Sequence, residues 1–433
     1  MPELVSVGDL MAAERALRDR VERNARAEHL TGQKSLVLYL HVHQPWRLRP
    51  YSAFETGYDH NYWHIGGKFG ADNGKIFRKV AEKSYLPMTK LLAKLLREIP
   101  DFRISLSITG TFIEQAEYFA PEVLDAFRDI VSTGRVEILG ETYYHSLAFF
   151  FHREEFERQV KMHADKIRQI FGPEYTPTSF RNTELAYNNE LGGWANQQHY
   201  RAVLAEGWEP VLGWRSPNFV YKPVGTDFTK LLMKNYKLSD DLAFRMGDRQ
   251  WKEWPLTAGK YTSWLDAADG PVVNLFMDFE TFGENVWADT GIFDLFANTL
   301  REWKRRPNHT FATISGAARD YPATEAIDFP RTTTWADSER DLSAWLGNRM
   351  QQESQRYLYD LTGAILATGD LDLIRDWRWL SASDTPYFMS TKYWNDGDVH
   401  AYFSPYDSPY DAFIYYMNVL RDVRYRLLAD SGK

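Results

Sequence analysis

The 433-residue sequence contains no cysteine. This absence excludes disulfides, thiolate nucleophiles and cysteine-ligated metal sites, and nothing indicates an oxidising compartment. No run reaches the length of about 18 apolar residues that is needed to span a bilayer. The N-terminal residues also lack the continuous apolar segment of a signal peptide. We therefore expect a soluble, cytoplasmic protein that does not bind membranes.

The sequence also has no excess of positive charge. The formal net charge is −8, and no long Lys/Arg run is present that would neutralise a phosphate backbone, so nucleic acid is not an expected partner. Aromatic residues, by contrast, are abundant at 15% of the chain, with 15 Trp and 25 Tyr. Rings at this density either fill a large core or line a wide cleft, where their faces stack on sugars.

Short apolar runs alternate with helical patterns along the chain, which is typical of parallel βα units. The helical patterns are clearest at 87–99, 122–134 and 153–172, and the last two end on glycine, as helices often do. Strands are predicted at 35–42, 102–110, 135–141, 178–185, 200–207, 236–244 and 272–280.

The pattern divides the chain into three parts. A charged amphipathic helix at 8–29 forms an N-terminal extension at 1–30, a barrel-like α/β domain follows at 31–330, and the remainder at 331–433 reads as helical. The stretch at 50–80 has little pattern of its own, and loops of that length in compact domains are usually functional. No low-complexity linker separates the parts, so we expect them to pack together.

Polar side chains recur where the predicted strands end. In a parallel barrel these carboxyl ends converge on one mouth, where active sites are built. Alternate strand residues share a face, so the two histidines of the first strand point together, as do the two acids of the last. The residues concerned are His41, His43, His145, Arg181, Glu184, Asp278 and Glu280.

The histidine pair allows three interpretations. The rings are hydrogen-bonded structural residues, or ligands of a metal such as zinc, for which His-x-His on a strand is a common arrangement. In the third interpretation they donate hydrogen bonds to substrate hydroxyls, and Gln44 and Trp46 extend the binding surface.

The acids point to a specific chemistry. Glu184 and Asp278 lie 278 − 184 = 94 residues apart, but a barrel can bring them face to face, and two opposed carboxyl groups are the minimal apparatus for breaking a glycosidic bond. A buried ion pair is the alternative for either acid alone. Arg181 is expected to keep Glu184 ionised, while burial and the charge of Glu280 are expected to raise the pKa of Asp278.

Five short segments follow one another along the chain: HVHQP (41–45), EILGETYYHSL (137–147), FRNTELAY (180–187), MDFETFGEN (277–285) and WADSERDLSAWLGN (335–348). They resemble, in this order, the five sequence regions of glycoside hydrolase family 57. The resemblance implies an incomplete (β/α)7 barrel with a C-terminal helical region. It also implies a retaining mechanism on α-glucans that requires neither a metal nor a cofactor.

The resemblance also implies roles for individual residues. Glu184 would be the nucleophile, and Asp278 the acid that later serves as base. His41, His43 and His145 would contact the sugar in the cleaved subsite. The remaining substrate contacts we expect are Gln44, Trp46, Arg181, Glu280 and Trp345, the last as a stacking or capping residue over the barrel mouth.

Hydrolysis of α-1,4-glucans, as by an α-amylase, is the activity we expect first. The same intermediate serves a 4-α-glucanotransferase or a branching enzyme, and the stretches at 50–80 and 208–235 are candidates for an acceptor groove. The nucleophile segment reads RNTEL rather than the tryptophan-led form of some members, which weakens any transfer of fine substrate preference. Two alternatives from other classes are a zinc-dependent polysaccharide deacetylase and a non-catalytic α-glucan-binding protein.

Overall fold

The computed structural model describes residues 32–63, 72–392 and 404–430. The helix predicted at 8–29 and the middle of the 50–80 stretch lie outside these residues. The described ends of that stretch contain a single 3₁₀ turn at Ala53–Glu55 and a helix that begins at Asn73.

Ten strands form parallel ladders in the described chain. They are Lys34–Val42 (β1), Ile104–Ile108 (β2), Val136–Ile138 (β3), Ser179–Phe180 (β4), Ala202–Glu206 (β5), Lys222–Pro223 (β6), Lys230–Lys234 (β7), Val272–Asp278 (β8), His309–Ala312 (β9) and Ala326–Ile327 (β10).

Seven of these strands follow one another around an incomplete barrel, in the order β8, β1, β2, β3, β4, β5, β7. A single bridge between Gly140 and Phe180 joins β3 to β4. The backbone N–H of Asn235 donates to the carbonyl of Asn274 at 2.9 Å and brings the end of β7 to β8. Strand β9 pairs with the first residues of β1, which precede the residues of β1 that pair with β2.

The alternation of side chains along β1 shows how the barrel aims its polar residues. Leu38, Leu40 and Val42 pack in the cluster between the sheet and the outer helices. Tyr39 lies on the opposite face, in a cluster that fills the barrel interior. His41 continues this inner face to the end of the strand, and therefore points into the barrel mouth.

Helices cover the outside of the barrel and form the C-terminal part. Those of the barrel are Asn73–Val80 (α1), Leu86–Glu98 (α2), Gly110–Phe119 (α3), Pro121–Val131 (α4), Ala148–Phe151 (α5), Arg153–Phe171 (α6), Asn189–Gln197 (α7), Glu209–Leu212 (α8), Tyr236–Asp240 (α9), Ala258–Ala267 (α10), Ile292–Arg305 (α11) and Ile314–Asp320 (α12). The C-terminal helices are Ser343–Leu346 (α13), Arg349–Asp360 (α14), Thr362–Thr368 (α15), Leu371–Trp379 (α16), Asp384–Phe388 (α17) and Pro409–Asp430 (α18).

The C-terminal helices pack against the barrel mainly through an aromatic-rich cluster. Trp377 of α16 and Tyr416 of α18 share this cluster with Phe156 of α6 and Trp194 of α7. Among the described residues no strand follows β10, in agreement with the helical pattern after residue 330. No helix in the described ranges is long and apolar enough to cross a membrane.

The parallel α/β architecture is confirmed, but one predicted strand is wrong. Residues 236–244 form helix α9 and a π-helical turn, because Asn235 caps the helix by accepting from the N–H of Leu238 at 3.1 Å. The true strand is β7, immediately before, whose apolar residues are flanked by lysines and carry no alternation typical of a strand. Strand β9 was also missed, since only four residues form it.

Candidate active site

A cleft of about 830 Å³ opens at the carboxyl ends of the barrel strands, and the C-terminal helices form part of its wall. Both predicted catalytic acids line this cleft. Eight of the ten predicted site residues do so, namely His41, His43, Gln44, His145, Glu184, Asp278, Glu280 and Trp345. Side chains from four strand ends therefore meet in one cavity.

The other two predicted contacts, Trp46 and Arg181, do not line the cleft but lie behind its wall. The Trp46 ring stacks on Trp379 with centroids 4.3 Å apart, inside the aromatic core. Arg181 is fully buried, with Nη1 3.7 Å from Glu141 Oε2 and its guanidinium 5.0 Å from the Trp335 ring centre. Its positive charge reaches the cleft, but its hydrogen-bonding groups do not line it.

An unusual backbone conformation aims Glu184 into the cleft. After β4 the chain turns through Thr183–Leu185, where Glu184 and Leu185 both adopt positive φ, at 56° and 54°. Left-handed conformations at residues other than glycine are costly and cluster at functional sites. The turn is held by the N–H of Trp335, which donates to the Glu184 carbonyl at 3.3 Å.

The Glu184 carboxyl group accepts hydrogen bonds at both oxygens. Ser383 Oγ donates to Oε1 at 2.8 Å, and the Trp335 indole donates to Oε2 at 3.0 Å. His145 Nε2 lies 3.1 Å from Oε1. Burial raises the pKa of Glu184, and the charge of Arg181 opposes that shift without reversing it. Arg181 thus favours the ionised form, as predicted, but the net pKa shift is upward because desolvation is larger.

Asp278 ends β8 at the cleft floor, with its side chain 45% exposed to the cavity. Its Oδ1 lies 3.5 Å from His41 Nδ1. The surrounding protein raises the pKa of Asp278 by desolvation, against the opposing charges of Arg181 and Lys234. The pKa shift has the predicted upward direction, which a general acid requires, but the like charge that contributes to it is that of Asp384 and not that of Glu280.

Glu280 lies beside Asp278 and is tied to the protein. Its Oε1 accepts a hydrogen bond from the Tyr85 hydroxyl at 2.7 Å and from the backbone N–H of His43 at 3.4 Å. Burial, followed by the charge of Asp278, raises the pKa of Glu280 to about 8. At neutral pH this carboxyl group is therefore largely protonated.

Three imidazole rings stand together between these acids. The centroid of His145 lies 4.8 Å from that of His41 and 4.1 Å from that of His43. Burial lowers the pKa of His41 to about 4 and that of His145 well below its usual value. His41 and His145 are therefore neutral and can each donate only one ring N–H.

Polar contacts set the orientation of the His41 and His43 rings. His41 Nε2 lies 3.2 Å from Glu141 Oε2. His43 lies between Thr109 Oγ1, 2.9 Å from Nδ1, and Asp384 Oδ2, 2.8 Å from Nε2. Such contacts lock ring rotamers, so the imidazoles present a fixed edge to a ligand in the cleft.

Trp345 and Gln44 line the cleft in different ways. Trp345 is only 2% exposed and packs with Leu147, with the ring of Tyr387 5.8 Å away. A ring so deeply buried forms part of the cleft wall and leaves little of its face open for stacking on a sugar. Gln44 is buried as well, and its Oε1 accepts from Arg47 Nη1 at 3.1 Å.

Trp335, Ser383 and Asp384 contact Glu184 or His43 but were not predicted as site residues from the sequence. Trp335 begins the last family-like segment, so it could have been predicted as a site residue from the sequence. Ser383 and Asp384 lie outside all five segments, at the start of the short helix α17. A bridge between Ser146 and Ala382 brings this segment to the barrel mouth, and no local pattern indicates such a contact between distant residues.

A network of buried charges holds Trp335 against Glu184. Lys234 Nζ lies 2.9 Å from Asp240 and 3.8 Å from Glu206. Arg340 pairs with Glu206 at 3.4 Å and donates to the carbonyl of Trp335. Burial raises the pKa of Glu206 to about 7, and the nearby Lys234 opposes this shift. The network fixes the loop that carries the indole.

Replacing Trp335 with phenylalanine tests this geometry. The variant loses the donor to Glu184 Oε2, so the pKa of Glu184 rises further and the acidic limb of the kcat/KM profile moves to higher pH. We expect a loss of about tenfold in kcat/KM, because a hydrogen bond to a charged group contributes about 1.5 kcal/mol or more.

Trp379→Phe is the matched control, since that indole donates at 2.8 Å to Glu114, a half-buried acid outside the cleft. It should lower stability without moving the acidic limb. An unmoved limb in Trp335→Phe would show that the indole does not stabilise the ionised carboxylate.

Two overlapping sets of side chains have the spacing to hold a metal ion. One is His41, Glu141 and His145, and the other is His43, His145 and Asp384. Within each set the potential ligand atoms all lie within 4.8 Å of one another. The metal interpretation of the histidine pair therefore has a geometric basis, and it can be tested separately from the chemistry of the acids.

Comparisons with known proteins agree with the resemblance read from the sequence. A family model described as "Glycosyl hydrolase family 57" matches residues 37–330. A curated protein of Methanocaldococcus jannaschii named "Putative alpha-amylase" is 40% identical over 406 residues, covering 90% of this chain and 85% of the relative.

Solved structures show the same fold at low sequence identity. The 4-alpha-glucanotransferase of Thermococcus litoralis superposes with a TM-score of 0.59 at 16% identity, over 82% of this chain and 56% of that one. The GH57-type branching enzyme of Pyrococcus horikoshii gives a TM-score of 0.65 at 14% identity, over 83% of this chain and 86% of that one. This chain thus spans little more than half of the glucanotransferase and most of the branching enzyme.

Proposed function

Because this chain belongs to glycosyl hydrolase family 57, we propose that it cleaves α-1,4-glucans by a retaining double displacement, as an α-amylase does. The observation that carries the proposal is that Glu184 and Asp278, distant in the sequence, line one cleft with three histidines between strand ends. The relatives named as α-amylase, glucanotransferase and branching enzyme support an α-glucan as substrate.

In the first step, Glu184 Oε attacks the anomeric carbon while Asp278 delivers its proton to the glycosidic oxygen. The bond to the leaving sugar breaks, and a β-linked glycosyl-enzyme forms on Glu184. In the second step Asp278, now a carboxylate, takes a proton from water, whose oxygen displaces Glu184. Two inversions return the α configuration at the new reducing end.

The environments of the two acids suit these roles. The nucleophile receives hydrogen bonds from Ser383 and Trp335, which stabilise its ionised form. Asp278 receives no hydrogen bond from a charged donor in the described residues, and desolvation raises its pKa. The neutral His41 and His145 offer uncharged groups to sugar hydroxyls, and we assign them, with His43, to the subsite of the cleaved ring.

Transfer to a sugar acceptor is the second candidate function. The cleft volume lies in the upper part of the usual range of about 300–1,000 Å³ for ligand pockets. Phe244 lines the cleft with 69% of its surface exposed, on the π-helical turn after α9. An exposed ring in a cleft can stack on a sugar that is not itself being cleaved, and such a sugar can act as acceptor in place of water.

Product analysis separates these activities. We expect incubation with maltopentaose and with amylose to yield only shorter α-1,4-linked chains, measured by chain-length and linkage analysis. Products longer than maltopentaose would instead establish a glucanotransferase, and new α-1,6 bonds a branching enzyme. Binding of maltooligosaccharides without any change in chain length would support a non-catalytic protein.

The same reactions run in EDTA test the deacetylase alternative. The proposed chemistry uses only carboxyl groups, so full glucan cleavage in chelator is expected. Activity that is abolished by EDTA and restored by zinc, with acetate released from an acetylated polysaccharide, would support a zinc-dependent deacetylase.

A further inference from the structure

The cluster of three imidazoles has a property beyond sugar binding. We propose that His43, His145 and Asp384 bind one divalent transition-metal ion of the zinc class, and that this ion reversibly blocks the cleft. The potential ligand atoms of this set all lie within 4.8 Å of one another, and His43 Nε2 is 2.8 Å from Asp384 Oδ2. Two imidazoles and a carboxylate are a common ligand set for zinc.

The spacing fits a tetrahedral ion after small side-chain shifts. Zinc bonds of about 2.0–2.1 Å place neighbouring ligand atoms about 3.4 Å apart. The centroids of His43 and His145 already lie 4.1 Å apart, with the rings tilted by 32°. Closing from the upper limit of 4.8 Å to this spacing requires movements of about 1 Å, which side-chain rotation can supply.

A contact behind one of the ligands, His43, orients it. Metal-bound histidines usually make a hydrogen bond through the other ring nitrogen, which fixes the ring. His43 has this arrangement, because Thr109 Oγ1 lies 2.9 Å from Nδ1 and leaves Nε2 facing Asp384. Thr109 is itself fixed, since it accepts from the N–H of Phe112 as the cap of α3.

Glu184 supplies the link to inhibition. Its Oε1 lies 3.1 Å from His145 Nε2, the nitrogen on the cleft side of that ring. An ion on His145 therefore sits next to the nucleophile, and the Glu184 carboxylate is placed to become a fourth ligand. The ion would hold the nucleophile and occupy the space of the sugar ring. This inhibitory consequence rests on the proposed function, whereas the binding itself does not.

The ligand types also predict selectivity. Imidazole nitrogen suits zinc, cobalt and nickel, whereas calcium and magnesium prefer sets composed only of oxygen ligands. Calcium at the same concentration is therefore a negative control. It distinguishes a specific metal site from general attraction of cations to the acidic cleft.

Isothermal titration of the full chain with ZnCl2 tests the binding. We expect one ion per chain in the wild type and an affinity at least tenfold weaker in Asp384→Asn and in His43→Gln, since even outer partners of a metal ligand change affinity by about 10–100-fold. His199→Asn is the matched control, because His199 is exposed and has a φ of 58°, which asparagine tolerates. CaCl2 should give no saturable binding.

Either of two results would overturn the site. One is the absence of saturable zinc binding by the wild type. The other is unchanged affinity in both His43→Gln and Asp384→Asn. If one variant does not fold, as judged by circular dichroism, the remaining variant decides the outcome alone.

Glucan cleavage in the presence of zinc tests the inhibition. We expect inhibition that maltopentaose relieves competitively and that EDTA reverses completely. Zinc binding without inhibition would overturn the placement of the ion beside Glu184. A chain that binds zinc but never cleaves glucan would contradict the proposed function and leave the metal site intact, so the two failures are distinguishable.

Discussion

Replacing Glu184 with alanine is expected to abolish turnover, and azide is expected to restore it as a β-configured glycosyl azide. The variant lacks the carboxylate that attacks the anomeric carbon, so no glycosyl-enzyme forms. Loss of an activated nucleophile costs on the order of 10⁴-fold or more in kcat. Azide is small enough to enter the space left by the side chain, and it attacks from the face that Glu184 occupied.

The configuration of the azide product identifies the residue. Attack on an α-linked substrate from the Glu184 side inverts the centre once and gives the β product. A substrate with a reactive leaving group, such as α-maltosyl fluoride, removes the need for protonation and isolates this step. Formation of an α-glycosyl azide would mean that the covalent intermediate still forms, and that Glu184 is not the nucleophile.

A matched control separates chemistry from folding. Glu114 is, like Glu184, a half-buried acid with several donors, accepting from Tyr143 at 2.9 Å and from the Trp379 indole at 2.8 Å, but it does not line the cleft. Glu114→Gln should lower the melting temperature and keep glucan cleavage. Glu184→Ala should show the opposite pattern, because its carboxyl group lies at the edge of an open cavity.

The sequence predicted the barrel because its strands carry their signal locally. Strand β1 is a nine-residue apolar run, and its boundaries at Lys34–Val42 agree closely with the prediction. Strand β7 was missed because five residues rich in leucine and lysine fit a helix equally well. The boundaries of the three predicted parts stay a prediction, since packing contacts alone do not define them.

The site was predictable where chemistry follows a strand end, and unpredictable where it depends on distant contacts. His41 and Asp278 end strands that lie side by side in the sheet, and the register pairs these two residues directly. Asp384 comes from a helix 341 residues beyond its partner His43. Trp46 carried an equally strong sequence signal, but apolar packing against Trp379 drew it into the core.

Replacing Asp278 with asparagine is expected to remove the basic limb of the pH profile and to slow glucan cleavage by roughly 10²–10⁴-fold, the usual contribution of general acid catalysis. A general acid must be protonated in the free enzyme, so activity falls as pH rises through its pKa. Desolvation raises the pKa of Asp278, which extends the active range upward. Asparagine has no proton to lose, so the limb disappears.

The neighbouring ring of His41 favours the protonated form of Asp278. Neutral His41 carries one N–H, which we assign to Nε2 because it lies 3.2 Å from the Glu141 carboxylate. Its Nδ1 lone pair then faces Asp278 Oδ1 at 3.5 Å. A lone pair beside an ionised carboxylate is repulsive, whereas a protonated Asp278 relieves that repulsion, so the ring favours the acid form.

Glu280→Gln is the control that makes this prediction decisive. Glu280 also lines the cleft, and its pKa of about 8 would by itself account for a basic limb. If Asp278 is the acid, the basic limb persists in Glu280→Gln and vanishes in Asp278→Asn. The fluoride of α-maltosyl fluoride leaves without being protonated, so this substrate should restore formation of the glycosyl-enzyme in Asp278→Asn. A limb that survives in Asp278→Asn and vanishes in Glu280→Gln would transfer the role of acid to Glu280.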